Sequence, residues 1–162
     1  MLYSQTDREQ VTAMRKRRLL VVWIPTVLVL LLAIGSFIVY RLNHDQSGWV
    51  VTGLITILAG AYCIFFFGVY LRPVLKYKHH VDYMLDGRKR VTQGILKEIG
   101  ETLQDREGID CYMVMLNVGE KNDPEDDRLF YLDGFKALEG FQPGDRVTVE
   151  TNDRMIASIA KS

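Results

Sequence analysis

Two uncharged apolar runs, separated by only eight residues, constrain this chain more than any other feature it has. Residues 19–40 hold 22 positions without a charge and residues 49–71 hold 23. About 20 apolar residues at a 1.5 Å rise cover roughly 30 Å, the width of a bilayer's hydrocarbon core. Each run is therefore predicted to form a transmembrane helix, with some slack for tilt. Trp23, Tyr40, Trp49 and Tyr70 stand near the run ends, where amphipathic rings favour the lipid–water interface. A cleaved signal sequence competes for the first run, with basic residues 15–18 ahead of it and the small-x-small pattern of Ala33, Ile34 and Gly35. The apolar stretch continues through Phe37, Ile38 and Val39, so cleavage would strand a hydrophobic stub. Two spans are the expectation.

Charge sorts the remainder. The tail 1–18 carries Arg8, Arg15, Lys16, Arg17 and Arg18 against Asp7 and Glu9, a net +3. Segment 72–90 carries Arg72, Lys76, Lys78, Arg88, Lys89 and Arg90 against Asp82 and Asp86, a net +4. From residue 91 onward, 8 Lys/Arg face 15 Asp/Glu, a net −7. Positive flanks on both runs and a nearly neutral loop 41–48 predict both termini on the cytoplasmic side. Arg15, Lys16, Arg17, Arg18, Arg72, Lys76 and Lys78 are the residues expected at the lipid headgroups. The acidic distal part argues against nucleic acid, whose phosphates need a Lys/Arg-rich surface. Cys63 and Cys111 fall in dissimilar surroundings, so no disulfide is expected and a reducing compartment fits.

Small residues suggest how the hairpin packs. Gly53, Thr56, Gly60 and Cys63 share one face of the second helix, and Thr26, Val29, Ala33 and Ser36 share one face of the first. Such faces let backbones approach closely. The stripe serves either the hairpin itself or an oligomer or larger membrane partner. Neither run has an interior charge, which disfavours a pore. Pro25 is expected in the first turns of its helix, where its missing N–H is harmless. Beyond the second run, Val74, Tyr77, Val81 and Met84 recur at helical spacing, with Lys76, Lys78, His79 and His80 off that stripe. Segment 72–89 is accordingly read as an amphipathic connector helix over 73–86, with Gly87 as its C-cap.

After Arg90 the period changes to two. Strands are predicted over 91–99, 111–118, 129–132, 146–151 and 155–159, with Gly94 a bulge or a point of close approach. Tyr112, Val114, Leu116 and Val118 share one face of the second, Asn152 and Asp153 form the last hairpin turn, and residues 135–138 a helical turn. Five short strands in 90–162 suggest a small all-β domain, a barrel of OB or SH3-like type. Gln142, Pro143, Gly144, Asp145, Arg146, Val147, Thr148 and Val149 resemble the Pro-Gly-Asp-x-Val-x-Val strand entry found in such barrels, among them the OB-type tails of NfeD-like bacterial membrane proteins. Apolar spans followed by a terminal barrel are also similar to short members of that family. The resemblance implies this architecture and a bacterial plasma membrane, and it carries no functional residues. The turn itself is explained by the backbone preferences of Pro143 and Gly144 and a cap from Asp145.

Catalytic and ligand chemistry has little to build on. No nucleophile elbow, Walker loop or zinc-protease pair occurs, and His44, His79 and His80 all lie outside the β segment. His79 and His80 point about 100° apart on a helix and lack further ligands, so no metal or other cofactor is expected. The acidic stretch 120–127 has Pro124 and no glycine where a Ca²⁺ loop needs one. It reads as a solvated loop, with Asp123, Glu125, Asp126 and Asp127 a candidate contact for a basic partner. Tyr112, Phe130, Tyr131, Phe135 and Phe141 are either core or a stacking platform. The expectation is a non-enzymatic integral membrane protein presenting an acidic β domain for interaction or assembly with itself or another membrane protein. A barrel that senses a small ligand, or assists a transporter, is the alternative; a homo-oligomeric channel comes third.

Overall fold

The structure is a computed structural model describing residues 1–43, 48–119 and 123–162. The centre of the expected loop 41–48, with His44 and Ser47, and residues Glu120, Lys121 and Asn122 of the acidic stretch lie outside the described residues. The chain divides into two compact units, Val11–Leu75 and a second built from Met1–Gln10 together with Lys76–Ser162. This partition differs from boundaries at 18, 72 and 90. The first ten residues, expected as part of a basic tail, belong with the β domain, and so does most of the connector.

Helix α1 spans Gln5–Leu42. Ser4 and Asp7 start it with a capping box: the Asp7 carboxylate accepts from the Ser4 backbone N–H at 2.7 Å, and the Ser4 hydroxyl accepts from the Asp7 N–H at 3.2 Å. Because the helix begins this early, Pro25 sits deep inside it rather than in its first turns. Its missing N–H leaves the Val21 carbonyl without an i+4 donor. The Tyr62 hydroxyl supplies one from α2 at 3.1 Å.

Helix α2 (Gly48–Phe66) runs through a five-residue π-helical segment, Phe67–Leu71, into α3 (Arg72–Asp86). Pro73 falls in the first turn of α3, and helix persists on both sides of it, the wider π turn giving the ring room. The Arg18 guanidinium donates to the Tyr70 carbonyl of the π segment at 2.8 Å. Two helical stretches, Gln5–Leu42 and Gly48–Asp86, are long and apolar enough to cross a membrane. Between α1 and α2, Ser36 and Thr52 share a 3.1 Å hydroxyl contact.

The β domain is a five-stranded sheet: β1 (Arg90–Arg106), β2 (Ile109–Asn117), β3 (Asp127–Asp133), β4 (Arg146–Asn152) and β5 (Met155–Lys161). Strand order is β1-β2-β3-β5-β4, with β4 pairing back to β1. The first half of β1 pairs with β4 and the second half with β2, through register shifts between Leu96 and Glu98 and between Ile99 and Leu103. The β3–β5 seam is parallel and rests on one bridge, Tyr131 with Met155. Leu96, Val114, Leu116, Phe130, Leu132, Val147, Val149 and Ile156 form the core. Leu2 packs against it, and its N–H reaches the Ala157 carbonyl at 3.0 Å.

Glycine placement explains two tight points. A Cβ on Gly94 would collide with the Asn117 carbonyl oxygen, and the β1–β4 register runs unbroken through it, so Gly94 is a close approach rather than a bulge. Gly144 has φ +97°, and its N–H bonds the Leu96 carbonyl at 2.7 Å, tying the Pro-Gly-Asp turn to β1. Residues 135–138 form no helix; a turn at Gly134 and Phe135 leads into extended chain. The last hairpin turn falls one residue later than expected, on Asp153 and Arg154, both with positive φ (45° and 69°).

Candidate functional site

The residues singled out by sequence scatter. On α1, Thr26 and Ala33 are buried and Ser36 is half-buried. On α2, Gly48 and Ala59 are buried and Thr52, Gly53, Ile55, Tyr62, Cys63 and Phe66 are half-buried, whereas Thr56 and Gly60 are exposed. A Cβ added at Gly53 or Gly60 meets nothing within 4 Å. The stripe Gly53, Thr56, Gly60, Cys63 is thus divided: Gly53 and Cys63 border the covered side of α2, while Thr56 and Gly60 lie outside it. Tyr62, on the covered side, donates to the Val21 carbonyl.

Among the basic residues, Arg15, Lys16, Arg17 and Arg72 are exposed, and Arg18 is drawn to Tyr70, its guanidinium 4.5 Å from the ring centroid. Lys76 and Lys78 do not have free ammonium groups. Lys76 donates to the Glu107 carbonyl at 2.9 Å, and Lys78 pairs with Asp82. In the acidic loop, Asp123 caps the short 3-10 turn Pro124–Asp126 by accepting from the Glu125 N–H. Asp127 is held by Lys97 at 2.8 Å and by the Asn117 amide at 2.6 Å, and the Lys97 bond keeps its carboxyl below the usual range. A carboxylate already paired this way is a poor partner contact. Glu125 stays exposed and Asp126 half-exposed.

The polar centre that sequence reasoning missed surrounds Asp133, at the end of β3 and fully buried. Its Oδ2 accepts from the Tyr77 hydroxyl at 2.9 Å and the Tyr3 hydroxyl at 3.1 Å, and its Oδ1 from the Phe135 N–H at 2.9 Å. Tyr3 OH also lies 2.9 Å from His80 Nε2. With Asp133 ionised, Tyr3 spends its proton on the carboxylate, so the neutral His80 tautomer protonated at Nε2 donates to the Tyr3 oxygen. Burial lowers the His80 pKa, opposed by the nearby Asp133 charge and helped by His79. Burial and then Asp133 push both tyrosine hydroxyls upward. Cys111, opposite Asp133 on β2, is pushed up to about 11, chiefly by burial. Around this centre, Arg8 pairs with Asp82 and Asp86 at 2.8 and 2.6 Å, and Lys136 with Asp7 at 2.9 Å.

The arrangement is a clasp. Three donors converge on one carboxylate with no open face, which holds the N-terminal segment and α3 to the sheet. Its traces in sequence were faint: an isolated Tyr3, the Ser4–Asp7 spacing, and a carboxylate closing an apolar strand.

Two concavities open on the β domain. One of about 320 Å³ is lined by Ile99, Tyr112, Leu132, Phe135 and Leu138. The other, about 1040 Å³, is lined by Tyr83, Thr92, Asp127, Asp153 and four arginines, Arg88, Arg90, Arg128 and Arg154. Of the expected aromatic platform, Phe130 is core, Tyr131 lies under the Arg106 guanidinium at 4.1 Å, and Phe135 is exposed with its edge to Tyr77. Among the described residues no group of three His, Cys, Asp or Glu side chains converges as metal ligands. No family model, curated protein or solved structure matches the chain.

Proposed function

We propose that this chain is a non-enzymatic integral membrane protein whose α1–α2 hairpin anchors the β domain, as an interaction or assembly module, at the cytoplasmic face of a bacterial plasma membrane. The observation that carries this reading is the clasp. Residues before the first apolar run and after the second fold into one compact unit, through Leu2 on β5 and Tyr3 on Asp133. If the chain enters a bilayer, both flanks must then stand on the same side, as an even number of spans requires. Positive flanks favour the inner side. Cleavage within the first run would discard Leu2 and Tyr3 and undo the clasp, which speaks against a signal sequence.

Large side chains such as Leu31, Leu32, Ile57, Leu58 and Ile64 point outward on the helices, more apolar area than a water-soluble surface carries singly. Lipid covers it in this proposal. Exposed Thr56 and Gly60 on α2 favour packing against a second copy or another membrane protein. The cyclic strand order supports a small barrel of OB type, and with it the NfeD-like resemblance. Among the described residues the one His–carboxylate association, His80 with Asp133, is sealed inside the clasp, which supports a structural role for it.

Cysteines placed singly at exposed Ser162, at exposed Lys16 and in the loop 41–48 test the topology. An impermeant maleimide applied to intact cells should label the loop alone. Labelling of residue 162 or 16 from outside would overturn the proposal. Crosslinking mass spectrometry of the membranes then identifies the neighbour, with the protein's own second copy as the expected partner.

A further inference from the structure

The acidic half of this molecule contains a basic groove. Arg88 and Arg90 enter it from the link between α3 and β1, Arg128 from the start of β3, and Arg154 from the β4–β5 turn. Among the described residues, Arg88, Arg90 and Arg154 make no ion pair and no side-chain hydrogen bond, although residues 91–162 hold almost twice as many carboxylates as cations. Arg128 donates only to backbone carbonyls, those of Glu125 and Asp127. Among the described residues two carboxylates lie on the groove wall; Asp127 is already neutralised by Lys97, and Asp153 faces four guanidinium groups. Like charges gathered this way repel one another unless an anion separates them.

Arg154 adds a backbone argument. It sits at φ +69° in a two-residue hairpin turn, a position that glycine or asparagine fills with less strain. Arg154 occupies it with its side chain on the groove. The cavity, at about 1040 Å³, is at the upper end of the range for small-molecule sites. Guanidinium groups present paired N–H donors that match phosphate oxygens two at a time.

We infer that this groove is a binding site for a compact ligand carrying two or more phosphate groups, gripped between the Arg88–Arg90 link and the Arg154 turn. A nucleic acid strand fits poorly, because the surrounding domain repels an extended polyanion. A free polyphosphate and a phospholipid headgroup offer the same chemistry. Occupancy would fasten the α3–β1 link to the far hairpin, so the binding event would be read as rigidity of that link. The site needs only the β domain's own fold. It would survive failure of the membrane topology, and the topology would survive failure of the site.

Full-length protein in a neutral detergent, titrated with inorganic tripolyphosphate in low salt, tests the site. Saturable binding below about 1 mM is expected. The double variant Arg90→Gln/Arg154→Gln should weaken it at least about tenfold and Arg154→Gln alone about threefold, whereas Arg146→Gln, which like the single change removes one charge but at the opposite end of β4, should leave it unchanged. All three arginines are exposed, so the fold should tolerate each change. Bound tripolyphosphate should also slow tryptic cleavage at Arg88, Lys89 and Arg90 in the wild type and not in the double variant. Vesicles containing cardiolipin, whose headgroup carries two phosphates, distinguish the sources: groove-dependent capture by vesicles without binding of tripolyphosphate or adenosine triphosphate assigns a headgroup, and the reverse assigns a soluble ligand. Absence of binding to all three probes, equal weakening by Arg146→Gln, or capture of polyglutamate but no phosphate would overturn the inference.

Discussion

Replacing Tyr3 by phenylalanine removes one oxygen atom and keeps the ring that is 2 % exposed among Lys136, His80 and the sheet. The apolar burial is conserved, so the change isolates the hydroxyl. That hydroxyl donates to a fully buried carboxylate and sits within hydrogen-bond reach of His80 Nε2. A hydrogen bond to a charged group contributes roughly 1.5–3 kcal/mol. Asp133 keeps the Tyr77 hydroxyl and the Phe135 N–H, so the loss should fall inside that range, at about 2 kcal/mol. Hydrogen exchange followed by mass spectrometry reads this on the intact, detergent-solubilised chain. Peptides covering the end of β3 and its partner Cys111 should exchange roughly 30-fold faster, since 1.4 kcal/mol corresponds to a factor of ten. Tyr77→Phe should cost a similar amount. The double variant should cost more than the two single effects together, because the same Oδ2 is then left without a side-chain donor. Wild-type protection in Tyr3→Phe would refute the clasp, and with it the reason for placing both flanks on one side of a membrane.

The clasp should also respond to acid. The folded-state pKa of His80 lies below its ordinary 6.5, so the stabilisation from keeping it neutral is full above that pH and is lost as pH falls beneath it. Exchange of the same peptides, corrected for intrinsic rate, should accelerate as pH falls below 6.5, and His80→Gln should flatten the profile. Gly94→Ala should destabilise the β domain by about 1–3 kcal/mol, because the added methyl meets backbone at Asn117 that cannot turn aside; an unchanged melting temperature would contradict this. Cys111, fully buried and with its thiol pushed up to about 11, should resist alkylation at neutral pH until denaturant is added. Rapid native labelling of that residue would show the β2–β3 contact to be open.

The register of the sheet shows how far local pattern carries. Val147 and Val149 alternate with solvent-facing neighbours and are core, as Val114 and Leu116 are on β2. The second half of β1 was illegible because Glu101, Gln104 and Asp105 offer no apolar alternation; it is strand only because β2 folds back along it from the turn at Glu107 and Gly108. The rotation of α2 escaped for a similar reason. Small residues mark a face that permits close approach, but Thr56 and Gly60 stay exposed while Tyr62 meets the Val21 carbonyl that Pro25 leaves without a donor. The groove could not be anticipated at all, since its four arginines come from three separate places in the chain.

Periodicity and the spacing of charge are local quantities, and they alone determined two long apolar helices followed by a five-stranded sheet. What a buried polar group bonds to is not local. Asp133, His80 and Tyr3 stand 53 and 77 residues apart along the chain and meet only because leaving any one of them unpaired in the interior would cost more than folding the N-terminus back. Tertiary structure decided that pairing, and so joined the two ends of the sequence in one unit.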